Sequence, residues 1–255
     1  MDNTFDKMYY NEGSLIAGID ESGVSDIAGP LVAACVILPH IDIQKDDLRI
    51  FEVDDSKKIP EKYRKNHAEV IWQAAVAIGI GEVQPSDVDY FGVIESTKLA
   101  MYRAIAACRS VAKGKLVVPD FLMIDKINNF HLNVKPRQVL IEQGDSKSLC
   151  IASASIVAKV YRDEIMTKLH NNFPYYDWIS NKGYPCENHF KGIDTHGVQV
   201  GVHRIKRWPF IKNPSLQEDH ALWERRRKLW KKITLKVQQM DASSELWATK
   251  PQYLK

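Results

Sequence analysis

Acidic residues lie beside apolar segments at four positions where carboxylates could bind metal ions. They end two apolar runs or lie within a helical pattern: Asp20, Glu21, Asp125 and Asp163. Hard cations take oxygen ligands. If the four acids converge, they could bind two ions about 3.5–4 Å apart and support an in-line displacement at phosphorus. Each acid taken singly is more typical of a solvated surface, so this prediction depends on convergence.

The adjacent acids Asp20 and Glu21 need a particular backbone geometry to act together. The runs 15–19 and 31–38 are short, apolar and bounded by Gly and Pro, which predicts two strands joined by a loop. Neighbouring residues of a strand point to opposite faces. Both carboxylates can therefore reach one site only if the chain bends at Glu21, and Gly23 would permit such a bend.

The rest of the chain alternates helices with strands. Pro60 and Pro85 each open a helical pattern, as is typical of proline in a first turn. In chain order we predict a polar loop over 42–58, a helix over 61–77, a strand over 78–83, a helix over 87–112, a strand over 121–125, a turn at 128–129, a returning strand over 137–143 and a helix over 148–173. This order favours an α/β domain with a mixed sheet.

Composition excludes several classes of protein. The 255 residues are 45% hydrophobic and 26% charged, and no apolar run approaches the roughly 20 residues of a membrane span. The polar, acidic N-terminus fits neither a signal peptide nor a transit peptide. Four scattered cysteines without CxxC spacing indicate reduced thiols in a cytoplasmic protein rather than a zinc site. The formal net charge is +3, and the basic excess follows Gly201.

Several ordered motifs closely resemble those of the ribonuclease HII (type 2 ribonuclease H) family. Between residues 15 and 210 they read GIDESG…AGPLVAACVI, DDSKKI, PDFLMID, GDSKSLCIASASIVAKVYRD, FPYYDW…NKGYPCENHF and HRIKRWPF. The resemblance implies a ribonuclease H-like fold, with a central mixed β-sheet flanked by helices and a helical C-terminal part. It implies metal-dependent endonucleolytic cleavage of RNA paired to DNA, leaving a 3′-hydroxyl and a 5′-phosphate. The implied cofactor is Mg²⁺ or Mn²⁺ at a two-metal site.

The resemblance also implies roles for individual residues. The family's catalytic, metal-binding acids fall on Asp20, Glu21, Asp125 and Asp163. The positions that contact the substrate backbone fall on Lys57, Lys147 and Ser148. Ammonium and hydroxyl groups suit that task because they donate to phosphate oxygens without reading bases. The implied substrates are an RNA–DNA hybrid or duplex DNA that contains ribonucleotides.

The chain departs from the family pattern just after the acidic pair. The family usually has Gly-Arg-Gly or Gly-Lys-Gly there, whereas this sequence has Gly23, Val24 and Ser25, which we still expect to contact the substrate. Val24 provides no cation for phosphate, and Ser25 lacks the backbone freedom of glycine. Asp26 replaces a common Pro, which makes the segment more similar to the GTGD pattern of type 3 enzymes. Those enzymes cleave hybrids but do not favour single ribonucleotides.

A second departure follows Tyr184 in the motif NKGY. By resemblance, Tyr184 packs on the ribonucleotide at an RNA–DNA junction; taken alone, it would be a half-buried core aromatic. Pro185 and Cys186 replace the usual Gly-Thr that follows. We therefore predict hybrid cleavage and leave cleavage at a single embedded ribonucleotide open. Structural roles are expected for His189 and His203, which also match family positions.

Past residue 210 the chain carries a basic extension. We divide the chain into a catalytic domain, 1–210, and a helical extension, 211–255, with a helix predicted over 216–240. Its apolar residues can line one side of that helix, with arginines and lysines around the rest. Three interpretations stay open: a docked helix with a solvated basic face, a membrane-surface segment, or a phosphate-contacting element.

Two other functions compete with the endonuclease. A non-catalytic protein that binds hybrids or scaffolds a complex could keep the fold, but it would gain nothing from repulsion among carboxylates. A DNA-cutting nuclease on the same fold would share the acid chemistry, whereas the lysine-serine loops and Tyr184 favour RNA–DNA recognition. We expect a monomer that has no membrane partner, and the sequence does not identify protein partners.

Overall fold

The computed structural model describes residues 4–9, 14–40, 59–125 and 130–206. The predicted loop over 42–58, which contains Lys57, and the predicted turn at 128–129 lie outside these residues. The basic extension and its predicted helix also lie outside them.

A six-stranded mixed sheet forms the centre of the molecule. Its strands are β1 (Ile16–Ser22), β2 (Leu31–Ile37), β3 (Ala77–Val83), β4 (Arg109–Ser110), β5 (Phe121–Asp125) and β6 (Arg137–Ile141). The spatial order is β4-β3-β2-β1-β5-β6. Strands β1 to β4 are joined by antiparallel pairings, whereas β5 runs parallel to β1 and β6 runs parallel to β5. The mixed sheet predicted from the sequence is confirmed.

Helices cover both faces of this sheet. They are α1 (Thr4–Lys7), α2 (Glu61–Ala74), α3 (Pro85–Ala106), α4 (Leu149–Asn172), α5 (Trp178–Asn181) and α6 (Glu187–His196). One buried apolar cluster joins α3 to the sheet, and a second cluster on the opposite face joins α2 and α4 to it. The long helix α4 lies directly on β1, since a Cβ added at Gly18 would be 2.1 Å from the Cys150 carbonyl carbon. The start of α4 is thereby fixed beside the central strand.

Three elements differ from their predicted form. Helix α2 ends at Ala74 because Ala75 is already extended, with φ −69° and ψ 141°. Helix α3 ends at Ala106, since the chain turns there to form the short strand β4, which the sequence did not predict. Strand β6 is parallel to β5, so it is not a returning strand. Within the part of the chain that the structure describes, no helix is both long and apolar enough to span a membrane.

Candidate active site

The parallel register of β1 and β5 brings two of the predicted acids side by side. Ile19 pairs with Ile124, so Asp20 and Asp125 follow one residue later on neighbouring strands. Both therefore point to the face of the sheet that α4 covers. Asp20 is only 6% exposed, and its carboxylate accepts a hydrogen bond from the Ser155 hydroxyl of α4. The end of the sheet beneath α4 thus brings two carboxylates together.

A third acid, Asp145, joins this pair, although the sequence analysis did not identify it as a ligand. It is buried in the 3₁₀ turn Gly144–Ser146, just before α4. The Gly144 N–H donates to Asp125 Oδ1 at 2.8 Å, which fastens this turn to the end of β5. The negative charge of Asp145 acts on Asp20 together with that of Asp125. The motif GDSKS contained the signal, but only its lysine and second serine were assigned.

The electrostatics of these acids fit a cation. Burial raises the pKa of Asp20 to about 7, with repulsion from Asp125 and Asp145 adding to the effect of burial and hydrogen bonds opposing it. Among the described residues, no three His, Cys, Asp or Glu side chains are arranged so that they could hold a metal ion as they stand, so a bound ion would have to draw the carboxylates together. An oxygen-only donor set whose charges are buried and repel one another suits a divalent ion such as Mg²⁺ or Mn²⁺.

The chain does not bend at Glu21, the residue after Asp20. Strand β1 stays paired with β2 through Ser22, and the turn comes only at Gly23, whose φ is 96°. The condition under which both carboxylates could reach one site is therefore not met, because the alternation of a regular strand puts Glu21 on the face opposite Asp20. Strand β5 is described as far as Asp125, level with Asp20, so Glu21 lies one residue beyond it at the end of the sheet.

The structure does not bring Asp163 to this group. Asp163 lies on α4 eight residues after Ser155, which corresponds to about 12 Å along a helix. Its Oδ1 lies 2.7 Å from Lys159 Nζ, and its Oδ2 lies 3.8 Å from Nη1 of Arg64 on α2. A carboxylate that faces α2 and pairs with two cations is not placed to share an ion with Asp20. These contacts do not support Asp163 as the fourth acid, and its metal-binding role stays a prediction from the family resemblance.

Lys147 and Ser148 of the motif GDSKS, both predicted to contact the backbone of the substrate, have different environments. Lys147 is exposed, and its Nζ donates to the Glu142 carbonyl oxygen at 2.7 Å. Ser148 is fully buried and caps α4, with its Oγ accepting from the Ile151 N–H at 3.2 Å. The hydroxyl is buried beneath the helix, so the structure gives it a capping role, and a substrate contact by Ser148 stays a prediction from the family resemblance. Ser148 fixes the start of α4, directly after the turn that contains Asp145.

Tyr184, the predicted junction-sensing residue, is exposed, unlike an aromatic residue of the core. Tyr184 is 54% exposed, and its backbone is fixed because its N–H donates to the Asn181 carbonyl at 2.8 Å. In the loop that follows β1, Val24 is half-buried and Ser25 is exposed. The Ile27 N–H donates to the Gly183 carbonyl at 3.0 Å, so this loop and the residue before Tyr184 are directly connected.

The two histidines are structural, as expected. Trp178 Nε1 donates to Nε2 of His189 at 2.9 Å, so Nδ1 of His189 carries the proton and donates to the Tyr184 carbonyl at 3.0 Å. The Gln199 N–H donates to Nδ1 of His203 at 2.8 Å. Burial lowers the pKa of both imidazoles, that of His203 to about 4. Both rings are therefore neutral parts of the packing behind Tyr184.

Comparison with known proteins agrees with this architecture. A sequence model of the family described as Ribonuclease HII matches residues 17–213. The chain is 40% identical over 201 residues to ribonuclease HII of Caldanaerobacter subterraneus subsp. tengcongensis, and the alignment covers 78% of this chain and 77% of that protein.

Two solved structures share the fold. Ribonuclease H2 from Pyrococcus horikoshii OT3 superimposes with a TM-score of 0.64 and 21% identity, covering 84% of this chain and 99% of that one. Bst-RNase HIII in complex with Mn²⁺ gives a TM-score of 0.58 and 18% identity, covering 78% of this chain and 68% of that one. The family match and the 40% identical relative establish the family and its activity, which a shared fold alone would not establish. This chain belongs to the ribonuclease HII family and is an endoribonuclease that hydrolyses the RNA strand of RNA–DNA hybrids.

Proposed function

We propose that hydrolysis takes place at a divalent-metal site formed by Asp20, Asp125 and Asp145, with Glu21 as a further oxygen donor at the end of β1. The observation that carries this proposal is that the negative charges of Asp125 and Asp145 both lie close enough to the buried Asp20 to raise its pKa. Such an arrangement disfavours its own ionised form unless a cation is bound. Glu21 is included because the family resemblance assigns it a metal-binding role; since strand alternation directs its side chain away from Asp20, it would donate an oxygen from the other face of β1 at this end of the strand.

The carboxylates of this chain would bind two ions, Mg²⁺ or Mn²⁺. The Mn²⁺ complex of a structural relative supports a divalent ion of this type. When bound, two such ions activate the attacking water and stabilise the leaving oxygen. The protein's part is to orient its ligands: Ser155 hydrogen-bonds the Asp20 carboxylate, and the Gly144 N–H fixes that of Asp125.

The substrate would be bound by groups around these acids. The exposed ammonium of Lys147 lies two residues after Asp145 and would contact a backbone phosphate. Lys57 would also contact a backbone phosphate, which we propose from the sequence alone. The loop 23–25 and the exposed ring of Tyr184 would contact the RNA strand at the position of cleavage. In this proposal residues 1–210 form the catalytic domain, and the basic extension, 211–255, adds phosphate contacts.

Tyr184 provides a prediction that tests this arrangement. Stacking of a base on an aromatic side chain contributes about 1–3 kcal/mol. Replacing Tyr184 by Ala should therefore lower kcat/KM on a continuous RNA–DNA hybrid about tenfold or more, while Tyr184→Phe should stay within about threefold of the wild type. The measurement is steady-state cleavage of a labelled duplex in Mg²⁺ and in Mn²⁺. Tyr175→Ala is a matched control, because Tyr175 is also partly exposed but stacks on His196.

A second duplex with a single ribonucleotide in DNA completes the experiment. Cleavage of both duplexes would mean that Val24 and Ser25 still permit junction sensing. Cleavage of the hybrid alone would mean that the altered loop has shifted the enzyme towards the preference of type 3 enzymes. If the wild-type protein binds both duplexes and cleaves neither, the proposed function is wrong.

A further inference from the structure

Two fully buried arginines lie beneath the loop formed by residues 23–30. Arg162 belongs to α4 and Arg204 lies near the end of the described chain, and both are 0% exposed. Buried guanidinium groups are rare unless they are paired and hydrogen-bonded. The proposed metal site does not use either side chain, so their role needs a separate explanation.

The Arg162 guanidinium connects the loop to the segment that contains Tyr184. Its four contacts are Nε to the Pro30 carbonyl at 2.9 Å, Nη1 to the Lys182 carbonyl at 2.8 Å, Nη2 to the Ala28 carbonyl at 2.9 Å, and Nη2 to Asp26 Oδ2 at 2.8 Å. One planar group thus fixes two separate chain segments at defined angles. Asp26, the residue that replaces a common proline of the family, provides the only carboxylate among these four contacts.

Arg204 fixes the same loop from a second direction. Its Nε donates to the Gly29 carbonyl at 3.0 Å, and its Nη1 donates to the Gly23 carbonyl at 2.6 Å and the Asp26 carbonyl at 3.1 Å. Its backbone N–H donates to the Ile27 carbonyl at 2.8 Å. The carbonyl oxygens of residues 23 and 26–30 therefore all point inward, to arginine groups. Because these six carbonyl oxygens point inward, their lone pairs do not repel the phosphates of a strand that lies over this part of the loop.

Two glycines allow this close packing. A Cβ at Gly23 would lie 2.3 Å from Arg162 Nε, and φ there is 96°. A Cβ at Gly183 would lie 2.4 Å from the Ala28 carbonyl oxygen, and φ there is 92°. Both positions combine a left-handed backbone with no room for a side chain. The loop and the residue before Tyr184 are therefore in direct contact around Arg162.

We propose that Asp26, Arg162 and Arg204 form a positioning unit that locks the loop 23–30 and Tyr184 into one rigid surface for the RNA strand at the site of cleavage. This inference rests on the proposed function, since it concerns how the same substrate is aligned. The three residues act through the loop and Tyr184 and do not touch the substrate. The unit also gives a physical role to Asp26, which replaces a common proline of the family, because its carboxylate pairs with the buried Arg162.

The test is Arg162→Lys, which keeps the charge but loses the planar fork of donors. We expect kcat on the hybrid to fall about 10- to 100-fold, because small misalignment of bound substrate has effects of this size. The Kd for hybrid in EDTA should change less than about threefold, since the phosphate contacts remain. Amide exchange should become faster together in peptides covering residues 20–30 and 178–186, while the β3 peptide is unchanged.

Three further variants keep this test decisive. Asp26→Asn and Arg204→Lys should shift both readouts in the same direction, and they decide the question if Arg162→Lys does not fold. Glu164→Gln is the matched control, because it breaks the α4 pair with Lys65, whose atoms are 3.8 Å apart, without contacting the loop. A folded Arg162→Lys protein with wild-type kcat and unchanged exchange in both peptides would overturn the inference. Faster exchange throughout the protein, β3 included, would also overturn it, since that indicates a general structural role.

The two proposals fail in distinguishable ways. If the wild-type protein cleaves no hybrid, the proposed function is wrong, but the exchange of the two peptides still reports whether Arg162 couples them. If the wild type cleaves and the variants behave like Glu164→Gln, only the positioning role is wrong.

Discussion

Replacing Asp20 by Asn is expected to lower kcat for hybrid cleavage about 100- to 1,000-fold, the range seen when one preorganised electrostatic group is removed from an active site. Asp20 is the acid on which the charges of Asp125 and Asp145 both act, so its neutralisation removes a central ligand charge. Asn is nearly isosteric with Asp, and the backbone of β1 should be unaffected. The measurement is single-turnover cleavage of a labelled RNA–DNA hybrid in Mg²⁺ and in Mn²⁺.

Binding separates this loss of chemistry from a loss of substrate. The Asp20→Asn protein should bind the hybrid in EDTA with a Kd within about threefold of the wild-type value, because phosphate contacts are made by other groups. A variant that retains at least a tenth of the wild-type kcat in both metals would contradict the role of Asp20.

The same substitution is expected to stabilise the metal-free protein above pH 7. Burial and the charges of Asp125 and Asp145 raise the pKa of Asp20 from 3.8 to about 7. Between these values the folded protein binds more protons than the unfolded chain, so the free energy of unfolding falls as the pH rises through this window. The penalty is absent below about pH 4 and complete above about pH 7. Three pKa units correspond to about 4 kcal/mol, and we expect Asp20→Asn to recover about 2–4 kcal/mol of it.

Urea unfolding in EDTA at pH 5 and pH 8 measures this effect. The stability gain of Asp20→Asn over the wild type should be larger at pH 8 than at pH 5. Asp163→Asn is the control, because it removes the ion pairs with Lys159 and Arg64, and its effect on stability should not follow the titration of Asp20 between pH 5 and pH 8. Equal gains at both pH values, or no gain at pH 8, would contradict the raised pKa of Asp20.

The sequence predicted those elements whose pattern is local. The apolar run FLMID, which ends in an acid, predicted β5 with the bounds that the structure has, Phe121–Asp125. The long helix over 148–173 is α4, Leu149–Asn172, with Ser148 as its cap. The position of Asp125 at a strand end could also be read from the sequence, because a buried run ending in an acid is visible without knowledge of the strand's neighbours.

The composition of the acid group could not be predicted in the same way. It depends on the parallel register of β1 with β5 and on the hydrogen bond that fastens the Gly144 turn to Asp125. Asp163 matched the expected residue type, but the helix carries it about 12 Å beyond Ser155. Ser148 matched a substrate-contacting position by type, yet its cap interaction buries it. Residue type alone therefore identified the chemistry, and long-range contacts decided which acids meet.

The most direct test of the acid assignment compares Asp145→Asn with Asp163→Asn in the same hybrid cleavage assay. The structure places Asp145 beside Asp20 and Asp125 and places Asp163 against α2. Asp145→Asn should therefore lose about 100-fold or more in kcat, while Asp163→Asn should stay within about threefold of the wild type. Full activity of Asp145→Asn together with a loss in Asp163→Asn would contradict this account and restore Asp163 as the fourth acid.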